Sequence, residues 1–525
     1  MKRIKILAIF AAAAFCSAFA VAQDMDFGDD FGSDFGSDFG ASDSSSSFSA
    51  GSFSVNGEAQ INFRAYVDDE GTIGLPIDEW NTWVDPKGKI GLNYSNDTVS
   101  ADVKFALSKD IITDYKSDII DELTLEATFG NFVVQAGKMK VVWGKGDKLH
   151  VIDNFNANDY KDFLIPDYID RRISEPMVRV LYNAPNDVGP FTSNRFELVW
   201  TPFITAERYA SSGRWVPNQV KTLKEGLSNA AMKIIAAQGV KAGTTNAALA
   251  EKIASGDETE TAKKEAAQEE VIYAAMLSRS SSLADDLYPD LYQLKYMQAG
   301  ARFTTTTGSW DWGLSYYFGR DKRASFDFAN MGNYVSNYLK GNAGEDDKFI
   351  DYDFLQVFGV EVAKTFGAYN FRAEAAYNLT QDIAGDNPRI HNNSVAWVFG
   401  FDRDLPVSEL NFNLQTQGKY IINHDEIDDS KNSFDTESST YETDNKLVLN
   451  ISDNLLHGKL KPEISAIYGF EHFDLIIMPK ITWYVSDGLE FSANGMYMQS
   501  FIKSRSEFGD WHNNSFVQIS AKYTF

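Results

Sequence analysis

Apolar and polar residues alternate with a period of two near both ends of this chain. From Phe53 to Val67 every second residue is mostly apolar, and the residues between them, from Ser54 to Arg64, are polar or charged. This period indicates a β-strand, because successive side chains of a strand point to opposite faces. The polar face is too polar to lie in a protein core. The apolar face is longer than that of an ordinary half-buried strand. A wall with lipid on one side and water on the other fits both faces.

The last nine residues repeat the pattern, with Val517, Ile519, Ala521 and Tyr523 on the apolar face. The chain then ends on Phe525. This ending resembles the C-terminal strand signal by which the barrel-assembly machinery recognises outer-membrane proteins. The resemblance implies that this machinery is a partner of the chain.

Sixteen further segments read as strands, which makes eighteen with the terminal two. Tight turns such as Gly130-Asn131 and Asp487-Gly488 alternate with longer polar loops, and this asymmetry is typical of membrane barrels. The sequence therefore predicts an all-β fold, a transmembrane antiparallel β-barrel of about 18 strands. The connection between Phe470 and Leu475 is very short for an external loop. The two strands that it joins could therefore be misassigned, and sixteen strands stay possible. The internal segments lie near residues 88–95, 98–107, 120–129, 132–143, 176–183, 194–203, 294–306, 310–319, 353–364, 369–380, 394–402, 410–421, 446–452, 459–469, 475–485 and 489–500.

One long connection, at about 205–292, changes its period from two to 3.6. Val220, Leu223 and Leu227 lie on one helical face, and a second helix is expected to start with Asp257 as its N-cap. The apolar faces are modest, so the helices are expected to pack on each other or on the barrel rim. Two interpretations stay open: a cap that shields loop ends, and a lid or partner-docking module.

The first 51 residues are expected to lie outside the barrel. Residues 1–22 have the layout of a secretory signal peptide that is removed after Ala22, although Cys16 leaves a lipid anchor as the alternative. Residues 23–51 consist mainly of Asp, Ser, Gly and Phe and predict a disordered acidic linker. The barrel domain then covers residues 52–525. Cys16 is the only cysteine, so the mature chain has no disulfide and no thiolate metal site.

The chain is strongly acidic, with a formal net charge of -26. This charge argues against nucleic acid as a partner. Acidic residues concentrate in two predicted loops, residues 68–86 and 423–444. An acidic mouth raises the local cation concentration and predicts a mild cation preference. The alternatives are a plain solvated surface and carboxylates bridged by divalent cations.

Charged residues of both signs fall on the polar phase of the strands, where a hydrated lumen accommodates them. Some of them are expected to pair across neighbouring strands, and others to face the solute. A barrel of sixteen to eighteen strands is wide enough for an aqueous channel unless loops fold inward. The candidate pore-lining residues are Arg64, Lys104, Arg195, Glu197, Arg302, Arg372, Glu374 and Lys419.

One loop is the candidate constriction. A predicted strand ends in Trp143-Gly144, and the chain returns through an Asn- and Asp-containing segment and Arg171-Arg172 to Pro176. This block resembles one in porin-like bacterial outer-membrane barrels, including distant relatives of alginate-export barrels. The resemblance implies that the loop narrows the pore. It would place Lys145, Asp147, Arg171 and Arg172 near the narrowest point.

Two features limit what this resemblance carries over. Lys145 stands where the family has an acidic residue after Trp-Gly, so the resemblance does not identify a substrate for this chain. The alternative interpretation places Trp143 in the aromatic girdle of the barrel and treats the glycines as a simple turn.

No local motif indicates catalysis. Five histidines fall in predicted loops without the partner spacing that nucleophilic or acid–base catalysis needs, and no pair has metal-ligand spacing. We expect no enzyme activity, no cofactor and no metal. The expected function is an outer-membrane channel for passive or substrate-selective diffusion of small hydrophilic solutes. The alternative is a surface adhesin or receptor that the barrel anchors. Lipids of the outer membrane are expected partners, and a homo-oligomer stays possible without any interface signal.

Overall fold

A computed structural model describes residues 52–67, 82–147, 149–257, 259–427, 435–437 and 440–525. The predicted signal peptide, the acidic linker and residues 68–81 of the first acidic loop lie outside these residues, as does much of the second acidic loop. The strands, helices and contacts given below all lie within the described ranges.

Eighteen strands form one closed antiparallel sheet in which each strand pairs with its neighbours along the chain. The first and last strands close the barrel, with Glu58 opposite Thr524 and Tyr66 opposite Phe516. The predicted fold class and strand number are confirmed. The sixteen-strand alternative is wrong, because residues 470–473 join two full strands. The strands are β1 Ser52–Tyr66, β2 Thr82–Ser95, β3 Val99–Ser108, β4 Ile120–Phe129, β5 Phe132–Met139, β6 Glu175–Asn183, β7 Phe191–Thr201, β8 Gln298–Thr307, β9 Trp310–Arg320, β10 Phe354–Phe366, β11 Tyr369–Leu379, β12 Ser394–Asp404, β13 Asn411–Ile421, β14 Thr443–Ser452, β15 Leu460–Gly469, β16 Asp474–Ser486, β17 Leu489–Ser500 and β18 Phe516–Thr524.

The two rims of the barrel differ. At one, here called the short-turn rim, turns such as residues 130–131 and 367–368 join the strands, and the last strand ends there beside β1. At the other, the long-loop rim, the connections include residues 140–174, 202–297 and 321–353. An even number of strands puts the start of β1 and the end of β18 on the same rim.

The two faces of the sheet have opposite polarity. Apolar side chains cover the outside; Phe53 is 65% exposed and Ile519 58%. Polar side chains such as Asn62 and Gln518 are buried on the inside. An apolar outer surface around a polar interior is the arrangement of a transmembrane barrel. Among the described residues, no helix has both the length and the apolar character that crossing a membrane requires.

Helices and short helical turns occupy the long-loop rim. The two long helices, α3 Asn218–Ser255 and α4 Glu260–Ser280, follow each other in the predicted insert and pack together. Thr259 caps α4 by accepting a hydrogen bond from the Ala262 N–H, so the predicted Asp257 cap is wrong. The helices are α1 Lys109–Thr113, α2 Tyr168–Arg171, α3 Asn218–Ser255, α4 Glu260–Ser280 and α5 Met331–Lys340. The 3₁₀ turns are Lys116–Ile119, Leu283–Asp286, Leu294–Tyr296, Phe328–Asn330, Glu345–Asp347, His424–Glu426 and Gly509–Asn514. Two-residue strands pair Asp159–Tyr160 with Arg208–Tyr209, and Ser325–Phe326 with Ile350–Asp351.

A hydrophobic cluster joins loops and wall inside the barrel near the long-loop rim. It combines loop residues such as Phe163, Trp215 and Trp511 with inward wall residues such as Val448 and Ile476. Phe163 and Trp215 stack with ring centroids 4.9 Å apart. Burial of these aromatic side chains is the main force that holds the loops inside the mouth.

Candidate functional site

The connection between β5 and β6, residues 140–174, folds into the lumen and is here called the inward loop. The sequence predicts a strand as far as Trp143, but β5 ends at Met139. Asn156 holds the departing chain, because its side chain accepts from the Val141 N–H at 2.9 Å and donates to the Met139 carbonyl at 3.1 Å. Residues 140–143 therefore leave the wall although their alternation continues that of β5.

Trp143 anchors the start of the inward loop inside the barrel. Its side chain is fully buried and donates Nε1–H to Glu197 Oε1 on β7 at 2.9 Å. Phe155 packs edge-on against the indole ring with centroids 5.0 Å apart. On β8, Gly300 leaves the space that both rings need, since a Cβ there would lie 2.7 Å from Trp143 and 2.8 Å from Phe155. The girdle interpretation of Trp143 is therefore wrong.

Glu374 on β11 holds the next segment. Its carboxylate accepts from the Gly146 N–H at 2.6 Å and the Val151 N–H at 2.9 Å, and it lies 3.0 Å from His150 Nδ1. Gly144 has a φ of +128° and approaches Glu374 and His150 so closely that a Cβ would collide with both. The glycines after Trp143 are therefore required for docking onto the wall.

The inward loop spans the lumen, because its remaining anchors lie on other walls. Asp147 accepts a hydrogen bond from Asn413 on β13 and lies 4.0 Å from Arg372 on β11. Asp162 forms a two-pronged ion pair with Arg64 on β1, at 2.7 and 3.0 Å. The Arg64 guanidinium also lies 4.5 Å from the ring centroids of Trp83 and Phe516.

The four candidate constriction residues occupy different environments. Lys145 and Asp147 are half-buried and lie near wall residues, Glu361 for Lys145 and Asn413 for Asp147. Arg171 is buried and donates to the carbonyls of Leu164 and Pro166, so it braces the loop itself. Arg172 is buried, pairs with Asp153 and lines an internal cavity.

Four of the eight candidate pore-lining residues, Lys104, Glu197, Arg302 and Arg372, pair with oppositely charged side chains of the wall. Arg302 binds both carboxylate oxygens of Glu361, at 2.7 and 2.9 Å, and lies 3.8 Å from Glu197. Lys104 lies 3.0 Å from Glu122, and Arg372 lies 2.5 Å from Asp402. Arg195 is half-buried on the strand face that also carries Glu197. These pairs stiffen the wall and leave little unbalanced charge for a passing solute.

Lys419 on β13 differs from these paired residues. Its side chain is only 6% exposed, and among the described residues it has no hydrogen-bond or ion-pair partner. It lines a cavity between the inward loop and the wall formed by β9 to β13.

The structure also assembles a quartet of charged groups at the long-loop rim, Asp444, Lys446, His472 and Glu507. Lys446 Nζ lies 2.7 Å from Glu507 and 3.6 Å from Asp444, and His472 Nε2 lies 3.7 Å from Asp444. The His472 Nδ1–H donates to the Arg505 carbonyl at 2.8 Å. Three of the four could hold a metal ion by geometry. The Lys446 ammonium already lies beside both carboxylates.

Sequence reasoning missed this quartet, because its four members come from three separate segments of the chain. It also missed the anchoring role of Trp143. The wall positions Glu197 and Glu374 were recognisable as inward-facing from their strand phase, but their partners were not.

No protein-family model and no curated protein matches this chain. Solved structures with a distant likeness include a mutant of the Rh. blastica porin, at 9% identity and a TM-score of 0.35, covering 90% of this chain and 100% of that one. A loop-deletion mutant of OmpT, an outer membrane protein of Vibrio cholerae, has 8% identity and a TM-score of 0.35, with coverage of 91% and 100%. OccAB4 of Acinetobacter baumannii has 7% identity and a TM-score of 0.42, with coverage of 91% and 98%.

Proposed function

We propose that this chain is a bacterial outer-membrane channel that lets small hydrophilic solutes diffuse through a lumen narrowed by its inward loop. The observation that carries the proposal is the path of that loop. It crosses a polar lumen and is anchored to β1, β7, β11 and β13 through Arg64, Glu197, Glu374 and Asn413. An open barrel of this strand number leaves an aqueous channel, and a loop held across it selects by size and charge.

The orientation follows from the rims. In bacterial outer-membrane barrels the short turns face the periplasm and the long loops face outside. The short-turn rim would then be periplasmic, and the helical insert would lie on the cell surface. The apolar outer face contacts lipid, and the terminal β18 strand with Phe525 is offered to the assembly machinery.

The test is a planar-bilayer recording of the purified full chain. We expect discrete current steps, with conductance below that of an unobstructed barrel. In Glu374→Gln the anchor loses its charge, and each hydrogen bond to a charged group is worth roughly 1.5–3 kcal/mol. The inward loop should then detach from the wall more often, and the mean conductance should rise by about twofold or more.

Glu126→Gln is the matched control, because Glu126 faces the lumen and accepts from Gln135 at 2.7 Å without contacting the inward loop in the described structure. Its conductance should equal that of the unaltered protein. A folded protein that stays silent in the bilayer contradicts the channel. Equal behaviour of both variants contradicts the anchoring role of Glu374.

One observation favours the adhesin or receptor alternative. The far part of the α3–α4 hairpin exposes apolar side chains; Val240 is 71% exposed, Val271 67% and Ile253 52%. Exposed apolar residues on a projecting element are suited to contacting a partner. A silent bilayer, together with loss of binding to a host or matrix molecule when residues 218–285 are deleted, supports this alternative.

A further inference from the structure

A polar cavity of about 90 Å³ lies between the inward loop and the wall of β9 to β13. A single ordered water needs roughly 10–15 Å³ of such space. The cavity can therefore hold a group larger than one water molecule. The loop contributes Asp153, Asn154 and Arg172 to its lining, and the wall contributes Gln417 and Lys419.

Basic groups outnumber acidic groups in this lining. Five arginine and lysine side chains line the cavity together with His391, against three carboxylates, Asp153, Glu207 and Asp321; the five are Arg172, Arg320, Lys322, Arg323 and Lys419. Among these groups, Arg172 pairs with Asp153, and Arg323 lies 2.6 Å from Asp321.

The other charged groups leave the cavity with a positive excess. Lys322 lies 3.5 Å from Glu175, which stands behind the lining. Burial raises the pKa of Glu207 to about 7, so this carboxyl is partly neutral at physiological pH. Arg320 donates to the backbone carbonyls of Tyr352 and Lys295, which carry no net charge.

Lys419 is the clearest unsatisfied cation in the lining. It is more than nine-tenths buried and lacks a hydrogen-bond or ion-pair partner among the described residues. Glu437, Asp321 and Asp444 attract it and Arg323 repels it, all from beyond contact distance. A buried ammonium without a counter-ion costs several kcal/mol, so a native protein keeps one where an anion or a functional need compensates.

Further donors around Lys419 lack acceptors. Asn154 Nδ2 and Arg320 Nε are buried without a hydrogen-bond partner, as are two acceptors of the same lining, Asp153 Oδ1 and Gln417 Oε1. Buried donors without acceptors call for a ligand that accepts hydrogen bonds. An oxyanion supplies both the negative charge and several acceptor oxygens.

We infer that this cavity binds one small oxyanion, a carboxylate or phosphate group, with Lys419 as its charged ligand and Asn154 as a neutral donor. If the proposed channel function holds, this site makes the channel favour small anionic solutes, in opposition to the acidic loops at its mouth. The site itself does not depend on conduction.

The test is isothermal titration calorimetry of the full chain in detergent, with sodium phosphate and sodium acetate titrated separately at constant ionic strength. We expect saturable binding of at least one of the two, and the one that binds identifies the chemistry. Lys419→Gln should weaken it by about tenfold or more, because it removes a charge-assisted hydrogen bond. Lys419→Arg should keep most of it.

The matched control is Lys104→Gln, which removes an inward lysine that pairs with Glu122 away from the cavity lining. It should leave anion binding unchanged. Absence of saturable heat with both anions overturns the site, and so does equal loss in Lys104→Gln and Lys419→Gln. A protein that binds phosphate but passes no current keeps the site and refutes the channel. A protein that conducts current but binds neither anion supports the channel and refutes the site.

Discussion

Single side chains hold the inward loop across the lumen and determine which charges on the inner wall are neutralised. Arg302, Arg372 and Lys104 have carboxylate partners on the wall, so their charges are largely neutralised. Trp143 and Glu374 hold the inward loop across the lumen. Lys419 is buried without such a partner among the described residues. All of these except Trp143 occupy the polar phase of a strand, yet only the contacts separate wall-stiffening charges from an available one.

The quartet at the long-loop rim makes stability depend on pH. Although burial alone would lower the pKa of His472, the negative charges of Asp444, 3.7 Å away, and of Glu507 raise that pKa from 6.5 to about 9. Burial raises the pKa of Glu507 from 4.5 to about 7 against the opposing effect of Lys446. Both groups hold their protons more tightly when folded.

We therefore expect the unfolding temperature to fall as the pH rises from about 6.5 to 9. The His472 contribution is fully present below its unfolded pKa and is lost as the pH passes through the folded value. It should amount to about 1–3 kcal/mol. His472→Gln should flatten this part of the profile, measured by tryptophan fluorescence during heating. His457→Gln, at an exposed position on the short-turn rim, is the control and should keep it. An unchanged slope in His472→Gln contradicts this account.

Among the elements, strands between two marked turns were predicted best. The predicted segments 120–129 and 489–500 coincide with β4 and β17. The prediction failed at the end of β5, where Val141-Val142-Trp143 continues the alternation but lies in the inward loop. Alternation specifies two different faces; it does not specify that the chain stays hydrogen-bonded to a neighbouring strand.

The helical insert has a buried near part and an exposed far part. Leu227 on α3 is 1% exposed and belongs to the hydrophobic cluster that also contains Trp215, whereas Val240 is 71% exposed. At 1.5 Å per residue, the 38 residues of α3 extend about 57 Å. The far part therefore reaches beyond the cluster and packs mainly on α4, through contacts such as Gln238 to Glu269 at 2.6 Å.

Leu227→Ala should destabilise the docking of α3 by about 2–5 kcal/mol, because it leaves a cavity in the cluster. Val240→Ala, the matched exposed substitution, should stay within about 0.5 kcal/mol. Hydrogen exchange of the α3 amides measures both. Comparable protection in the two variants would show that the cluster does not hold the insert.

Closure of the sheet is a property of the whole molecule. The first and last strands lie side by side although they are more than four hundred residues apart in sequence, with Asn62 opposite Ser520 and Arg64 opposite Gln518. This pairing removes both free sheet edges, which would otherwise leave unpaired backbone groups in lipid.

The closure predicts a cross-link. Asn62 and Ser520 lie opposite each other in the middle of the β1–β18 pairing, which runs from Glu58–Thr524 to Tyr66–Phe516. The Cα atoms of directly opposite residues in antiparallel strands lie about 4.5–5.5 Å apart, and a disulfide can span this distance. Asn62→Cys with Ser520→Cys should form a disulfide on mild oxidation, seen as loss of free thiols and altered migration of the heated chain. Asn62→Cys with Ile519→Cys should not, because the two side chains point to opposite faces. Efficient bonding of the control pair would contradict the register.

The sequence by itself determined the sidedness of the wall, the approximate positions of the strands and the difference between the two rims, because each strand carries its own alternation and each turn its own residues. Only the tertiary structure decided the path of the inward loop, the burial of Trp143 and the isolation of Lys419. Gly146 meets Glu374 across 228 positions and Asp147 meets Asn413 across 266. Local sequence patterns cannot predict these contacts, because the contacts depend on which strands barrel closure places on opposite sides of the lumen.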